Sequence, residues 1–233
     1  MVKLRMDTKR AFRILILLCE CLFHFVICEN KLRWEKLSLN GTGPEPNARK
    51  DAALAFDPKR STVVLFGGRS KSEVYSDTWL FDLKQKSWKW VNDTVIDLEI
   101  IPGPRFGTVH GTDGDRFIIA FGSRDFSNSL SNEVFQYDFN SSKWSRVWVK
   151  TGDPDSRFLA NGGVFNGSLF VSHGYGISGI LSDVEKLDFR RQTWETLHEC
   201  VNQYNPVLPH ARYAQSSVLL PDRKILMFGG CLR

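Results

Sequence analysis

Cysteine is scarce and unevenly placed. Of five in 233 residues, Cys19, Cys21 and Cys28 fall within the first 28 positions, leaving Cys200 and Cys231 for the remainder. No Cys-x-x-C occurs, which removes the commonest redox and zinc-binding signatures. Beyond the leader, His110, His173, His198 and His210 are scattered without metal-ligand spacing, so neither a metal nor a cofactor is expected. A G-x-S-x-G nucleophile elbow is missing too. Heptads and long amphipathic helical stretches are absent after the first thirty or so residues, which argues against a coiled coil or helical bundle. Charge of one sign is also lacking. The net charge is +5, but residues 1–28 hold five basic and two acidic residues, so the remainder carries 26 basic against 24 acidic. No broad electropositive surface follows, and nucleic-acid binding is excluded.

The amino terminus stands apart. Lys3, Arg5, Lys9, Arg10 and Arg13 precede the apolar stretch ILILLCECLFHFVIC at residues 14–28. Glu20 and His24 interrupt it, whereas a membrane span needs about 20 clean apolar residues. A basic start before a short apolar segment is the pattern of a secretory signal peptide, expected here to end after Cys28, with a retained signal anchor as the alternative. Asn40, Asn92, Asn140 and Asn166 each open an N-x-[ST] sequon, which fits a secreted or lumenal glycoprotein. In such a compartment Cys200 and Cys231 are candidates for one disulfide, the alternative being two free thiols.

What is abundant is aromatic residues, at 12%, and glycine, with 18 copies. Both tilt the chain toward strands and turns. The stretch TVVLFGGRSKSEVYSDTWLFDLKQKSWKWV at residues 62–91 returns as FIIAFGSRDFSNSLSNEVFQYDFNSSKWSRV at 117–147, as LFVSHGYGISGILSDVEKLDFRRQTWETL at 169–197, and in part as ILMFGGCLR from Ile225. Aligned on glycine, Gly67, Gly122, Gly174 and Gly229 step by 55, 52 and 55 residues. Trp34, Trp88, Trp144 and Trp194 step by 54, 56 and 50, and Arg49, Arg105, Arg157 and Arg212 by 56, 52 and 55. Three markers keep one period, so the chain is a repeat.

A period near 50 with four strand signals per unit predicts propeller blades, an all-β fold. The first strands are AALAF, GTVHG, ANGGVF and AQSSVLL. The second ends at glycine, where Gly67-Gly68 and Gly229-Gly230 permit a sharp turn. The third ends on an acid at Asp82, Asp138 or Asp188, and the fourth carries the tryptophan that fills the gap between sheets.

These residues resemble the kelch family. Unit one matches in full with Arg49, Gly67-Gly68, Phe81-Asp82 and Trp88. Unit two reads Gly122-Ser123 and unit three His173-Gly174-Tyr175 where the resemblance implies a glycine pair. The resemblance covers about residues 33–233 and implies a kelch-type β-propeller domain at 29–233; the units counted make it partial, with three full four-stranded blades and part-blades at each end, the amino-terminal one marked by Trp34. Such an open arrangement exposes sheet edges.

Strand parity places the second-to-third loops and the blade-to-blade loops on one face and the short turns on the other. The long set comprises residues 69–76, 123–132 and 175–182, with 92–104, 150–157 and 199–209 between blades. Long loops on a rigid scaffold are where binding resides. Arg69, Arg105, Arg124, Arg157, Arg212 and Arg49 gather there and are the candidate ligand contacts, suited to carboxylates of an anionic protein or glycan. The alternative is that they pin loops by bonding backbone carbonyls. Asn140 and Asn166 fall in the short turns, away from this face. The Asp box of sialidase propellers is missing, and the copper-site tyrosine–histidine set of kelch oxidases cannot be assigned. The expectation is therefore a non-enzymatic, secretory-pathway module that binds a protein or glycan. The alternatives are a carbohydrate-active kelch enzyme resembling a sugar epimerase and a truncated chain without independent function.

Overall fold

The computed structural model describes residues 43–92, 100–200, 209–220 and 224–232, all within the compact unit Leu39–Arg233. The leader, Trp34 and Asn40 lie outside the described residues. Every described element is a strand, and none is a helix long and apolar enough to cross a membrane.

The first sheet contains β1 (Ala53–Asp57), β2 (Thr62–Phe66), β3 (Thr78–Asp82) and β4 (Ser87–Val91) in chain order. The second repeats this with β5 (Val109–Asp113), β6 (Arg116–Ala120), β7 (Val134–Asp138) and β8 (Lys143–Arg146). In the third, β10 (Asn161–Phe165), β11 (Ser168–Gly176), β12 (Gly179–Asp188) and β13 (Thr193–His198) follow the same order, with the short β9 (Arg157–Phe158) added beside the end of β11. A fourth sheet holds β14 (Ser216–Leu219) and β15 (Ile225–Phe228). These are three four-stranded antiparallel blades and a two-stranded part-blade. The first strands neighbour one another, β1 on β5, β5 on β10 and β10 on β14.

Why the strands are apolar runs rather than alternating patterns follows from this stacking. A middle blade is covered on both sides, so both residue sets of its second strand are buried. In β6, Phe117 and Ile119 join Phe66, Tyr137 and Trp144 in the core between blades one and two, while Ile118 and Ala120 join Leu169, Val171 and Trp194 between blades two and three. The indole of Trp144 is the clearest seal. It lies 4.9 Å from the Phe66 ring of the preceding blade, and its Nε1 donates to Thr78 Oγ1 at 2.9 Å. Trp194 meets Phe121 of its preceding blade at 5.6 Å.

The turn before each fourth strand is built as its aspartate implies. Asp82 Oδ1 accepts from the amides of Lys84 and Gln85, Asp138 Oδ1 from those of Asn140 and Ser141, and Asp188 Oδ1 from those of Arg190 and Arg191.

Three details correct the sequence reading. First, the glycine alignment slips by one in the middle blades. Gly67, Phe121, His173 and Gly229 share φ between 62° and 71°, at 64°, 64°, 62° and 71°, and Gly68, Gly122, Gly174 and Gly230 follow at 90°, 97°, 107° and 94°. Only the second position is glycine every time. A Cβ there would meet the first strand, at 2.8 Å from Ala52 Cβ for Gly68 and 2.7 Å from Ala160 Cβ for Gly174. The first position tolerates Phe121 and His173 in the left-handed region at a cost of roughly 1–2 kcal/mol. Second, residues 175–182 form no long loop, because β11 and β12 extend to a tight hairpin closed by Gly176 and Gly179. Third, Cys200 and Cys231 are free, exposed thiols rather than a disulfide. Cys200 follows β13 and receives the Ser182 hydroxyl at 3.5 Å, whereas Cys231 bridges Tyr213 through its backbone beside β14 and β15.

Trp144→Ala is expected to cost about 3–5 kcal/mol, the range for deleting a buried large aromatic. Trp144→Phe is expected to cost less while still losing the Thr78 bond, worth about 1 kcal/mol. Urea unfolding followed by circular dichroism reads both, and a cost below that of an exposed-site substitution would remove the indole from the seam.

Candidate functional site

Each blade begins with an arginine, and one bond is common to all four. The Nε of Arg49, Arg105, Arg157 and Arg212 donates to the carbonyl two residues earlier, at 3.0, 3.2, 2.9 and 3.0 Å. Nη1 of Arg49, Arg157 and Arg212 donates to the carbonyl of the left-handed residue before the constant glycine, Gly67 at 3.0 Å, His173 at 3.1 Å and Gly229 at 3.0 Å. The fork then closes on a carboxylate just before or at the start of the third strand's pairing. Arg49 holds both oxygens of Asp77, Arg105 reaches Glu133 at 3.3 Å, and Arg157 holds both oxygens of Asp183 at 2.6 Å each.

These pairs tie three strands of one blade together at the long-loop end. Arg157 is 0% exposed, and removing one partner of a buried ion pair typically costs about 3–5 kcal/mol. Burial would lift Asp77, but hydrogen bonds from Arg49 and Trp79 outweigh it and hold the carboxyl below its ordinary range. Glu133 behaves likewise, burial opposing while Arg124, Ser131 and the charge of Arg105 bring it down. Burial pushes the Arg105 guanidinium down to about 10. Arg49, Arg105 and Arg157 thus spend their forks inside the blade. Arg212 makes both backbone bonds, and among the described residues no carboxylate meets its fork.

Arg69 and Arg124 occupy the surface. Arg69 Nε donates to Asp51 at 2.7 Å, and its guanidinium lies 4.3 Å above the Phe106 ring. Arg124 pairs with Glu133. Beside Arg69 opens a groove of about 580 Å3 lined by Ala48, Arg49, Lys50, Arg69, Ser70, Lys71 and Phe126. Lys50 and Lys71 are exposed, and neither forms an ion pair among the described residues. Phe126 is half exposed, at 49%.

A row of rings leads away from this groove. Phe126 stands 6.1 Å from Phe106, Phe106 5.7 Å from Phe158, Phe158 5.7 Å from Tyr175, and Tyr175 5.5 Å from Tyr213. Phe106, Phe158 and Tyr213 each follow a blade arginine, and Tyr175 pairs with Phe158 across β9 and β11. The long-loop face therefore presents a cationic groove at blade one and partly buried aromatic rings across the following blades. Among the described residues no group of three or more His, Cys, Asp or Glu side chains could hold a metal ion.

The sequence reading named the arginines but missed Lys50, Lys71 and Phe126. A usable signal existed, since the residue after each blade arginine is aromatic in units two to four and lysine only in unit one. Of the sequons, Asn140 and Asn166 sit exposed in the β7–β8 and β10–β11 turns, and Asn92 is exposed after β4.

Comparison with known proteins gives a consistent likeness. The domain described as KLHDC2/KLHL20/DRC7 Kelch-repeats matches residues 19–230. The flagellar outer-arm dynein alpha chain of Chlamydomonas reinhardtii is 27% identical over 86% of this chain and 4% of its own length. Putative adagio-like protein 2 of Oryza sativa subsp. japonica is 29% identical over 84% of this chain and 30% of its own. Acyl-CoA-binding domain-containing protein 5 of Arabidopsis thaliana is 22% identical over 85% of this chain and 30% of its own. This chain thus spans less than a third of each relative.

Burial, reinforced by Arg212, pushes His173 down to about 4. The imidazole ordinarily protonates near 6.5. Between those values the unfolded chain takes up a proton that the folded chain refuses, so stability falls as pH drops from about 6.5 to about 4. Urea midpoints are expected to decline across that window and to decline less for His173→Gly. Parallel curves would assign the loss to another group.

Proposed function

Because the chain belongs to the KLHDC2/KLHL20/DRC7 kelch-repeat family, whose domains are generally protein-interaction modules, we propose that it is a non-enzymatic binding module. Its long-loop face takes an acidic segment of a partner protein into the groove of Lys50, Arg69, Lys71 and Phe126. The observation that supports this reading is the pair of exposed ammonium groups on either side of Arg69, free of the carboxylates that occupy the blade arginines. Carboxylates entering there gain charge-assisted bonds, and Phe126 offers apolar contact beside them.

The electrostatic part sets encounter and register more than final affinity, so binding should weaken steeply with salt. Arg69 is less informative than the lysines as a probe, because its bond to Asp51 also holds the loop at Lys50. A labelled peptide rich in glutamate with one phenylalanine serves as probe. Lys50→Glu with Lys71→Glu is expected to lower its affinity by about tenfold or more, and Phe126→Ala by less, read by fluorescence anisotropy. Equal affinity in the folded double variant sinks the anionic reading.

The leader and the sequons support entry into the secretory pathway, with sugar on Asn140 and Asn166 pointing away from the groove. The kelch match begins at residue 19, so it overlaps the end of the leader. On expression in a secretory cell line, the chain is expected in the medium with a glycosidase-sensitive mass that drops for Asn140→Gln and Asn166→Gln. A chain retained in the cytosol with no sugar would end this placement.

A further inference from the structure

Blade three departs from its siblings where its second strand passes into its third. β11 and β12 stay paired as far as Gly176 and Gly179, so Ile177 and Ser178 alone make the turn. Blades one and two carry loops at this place, closed only by the bridges Arg69–Val74 and Ser123–Leu130. Glycine, asparagine, aspartate and serine are the ordinary residues of such tips. Ile177 is instead 83% exposed, more than any other large apolar side chain described. It buries almost none of its surface in its own fold.

The finger is braced at its base. β9 sets Phe158 against Tyr175 and Arg157 against Gly176, the two rings meet at 5.7 Å, and Arg157 holds Asp183 of β12. An anchor fixed in this way loses little freedom when it docks. The same register, carried on toward the tip, runs Ser156 and Asp155 alongside the turn. The Ser156 carbonyl oxygen lies 3.3 Å from where a Cβ on Gly176 would stand. Asp155 is exposed, and its carboxylate forms no ion pair among the described residues. The finger therefore presents an apolar tip with a carboxylate at its flank.

Blade one presents the complement on the same face. Its groove of about 580 Å3 has Ala48 and the half-exposed Phe126 as apolar walls and Lys50 and Lys71 as a cationic rim. Blade two stands between groove and finger, since β1 neighbours β5 and β5 neighbours β10. A half-turn about an axis through blade two, lying in the plane of the long-loop face, sets blade three of each copy over blade one of the other. Both contacts are then equivalent, and the pair closes on itself.

We propose that the chain forms a two-fold dimer through its long-loop face, the Ile177 finger of each copy entering the blade-one groove of the other. Ile177 lies against Phe126, and Asp155 meets the ammonium groups of Lys50 and Lys71. The proposal rests on the groove being a site for an acidic segment and names that segment as the hairpin of a second copy.

Sedimentation velocity of the full chain at rising concentration tests it. A monomer–dimer equilibrium that weakens with salt is expected. Ile177→Ser and Asp155→Lys are each expected to weaken association by about tenfold or more. Asp155→Lys combined with Lys50→Glu and Lys71→Glu should restore it, which a folding defect could not do. Mixing the Ile177→Ser chain with the Lys50→Glu, Lys71→Glu chain should recover part of the association, because one of the two contacts is intact in that pair. A dimer indifferent to Ile177→Ser and to the charge reversals overturns the proposal. A chain monomeric throughout that still binds the glutamate-rich peptide overturns the dimer alone, and one that also ignores the peptide overturns the groove with it.

Discussion

The packing of one blade's indole against the preceding blade is the interaction on which the remaining structure rests. A four-stranded sheet of five-residue strands has two faces and cannot cover either by itself. Trp144 covers Phe66 and bonds Thr78, and Trp194 covers Phe121, so each blade is completed by the next. With both faces of blade two buried, the run Phe117–Ala120 can be wholly apolar without exposing surface. The short-turn face adds polar ties between blades, Lys59 to Asp115 at 2.7 Å and Arg60 to Asn140 at 2.5 Å. Exposed ties of this sort contribute little on their own. The seams hold the repeat, and the polar links accompany them.

Within a blade, the arginine clamp does for the long-loop end what the indole does for the seam. A guanidinium has five donors in a planar fork, and in Arg49 and Arg157 they are divided between a local carbonyl, the glycine turn of the second strand and the start of the third strand's pairing. The same residue therefore closes three backbone segments that would otherwise splay where the loops emerge. In Arg157 this use and burial leave no guanidinium for a ligand, and Arg105 is likewise buried although its Nη1 has no hydrogen-bond partner among the described residues. Their number and regular spacing made them look like a basic ring, whereas the carboxylates that neutralise them sit 28, 28 and 26 residues later, at Asp77, Glu133 and Asp183.

Much of the fold was legible because it repeats. Tryptophan, the acid before the fourth strand and the leading arginine keep one period, and each has a single physical task that few other residues perform. The glycine register was less legible, because a letter match treats Gly67 and Gly122 as equals while the backbone does not. Gly122 matches Gly68, where the first strand lies too close for any Cβ. Phe121 and His173 occupy the neighbouring left-handed position and conceal it. The extended hairpin at residues 175–182 escaped notice because its polar, glycine-bearing sequence reads as a loop until β11 and β12 pair through it. The sequence left a disulfide and two free thiols both open, since pairing depends on the separation of two strand ends in different sheets.

The groove was hidden for a related reason, and the reason bears on function. Residues that obey the repeat are accounted for by the scaffold, so a binding surface should appear where one blade departs from the others. After the blade arginine come Phe106, Phe158 and Tyr213, but Lys50 in blade one. After the second glycine come Ser123, Tyr175 and Cys231, but Arg69 in blade one. Both departures add a cation, both meet at the Lys50–Arg69 bridge, and Lys71 lies two residues beyond. The ring of Phe106 stacks on Arg69 in place of a like ring from blade one, so the aromatic row ends where the positive charge begins. Fold alone assigns no ligand to a propeller. The departure places Lys50, Arg69 and Lys71 together, whereas the carboxylates of Asp77, Glu133 and Asp183 are already committed to Arg49, Arg105 and Arg157.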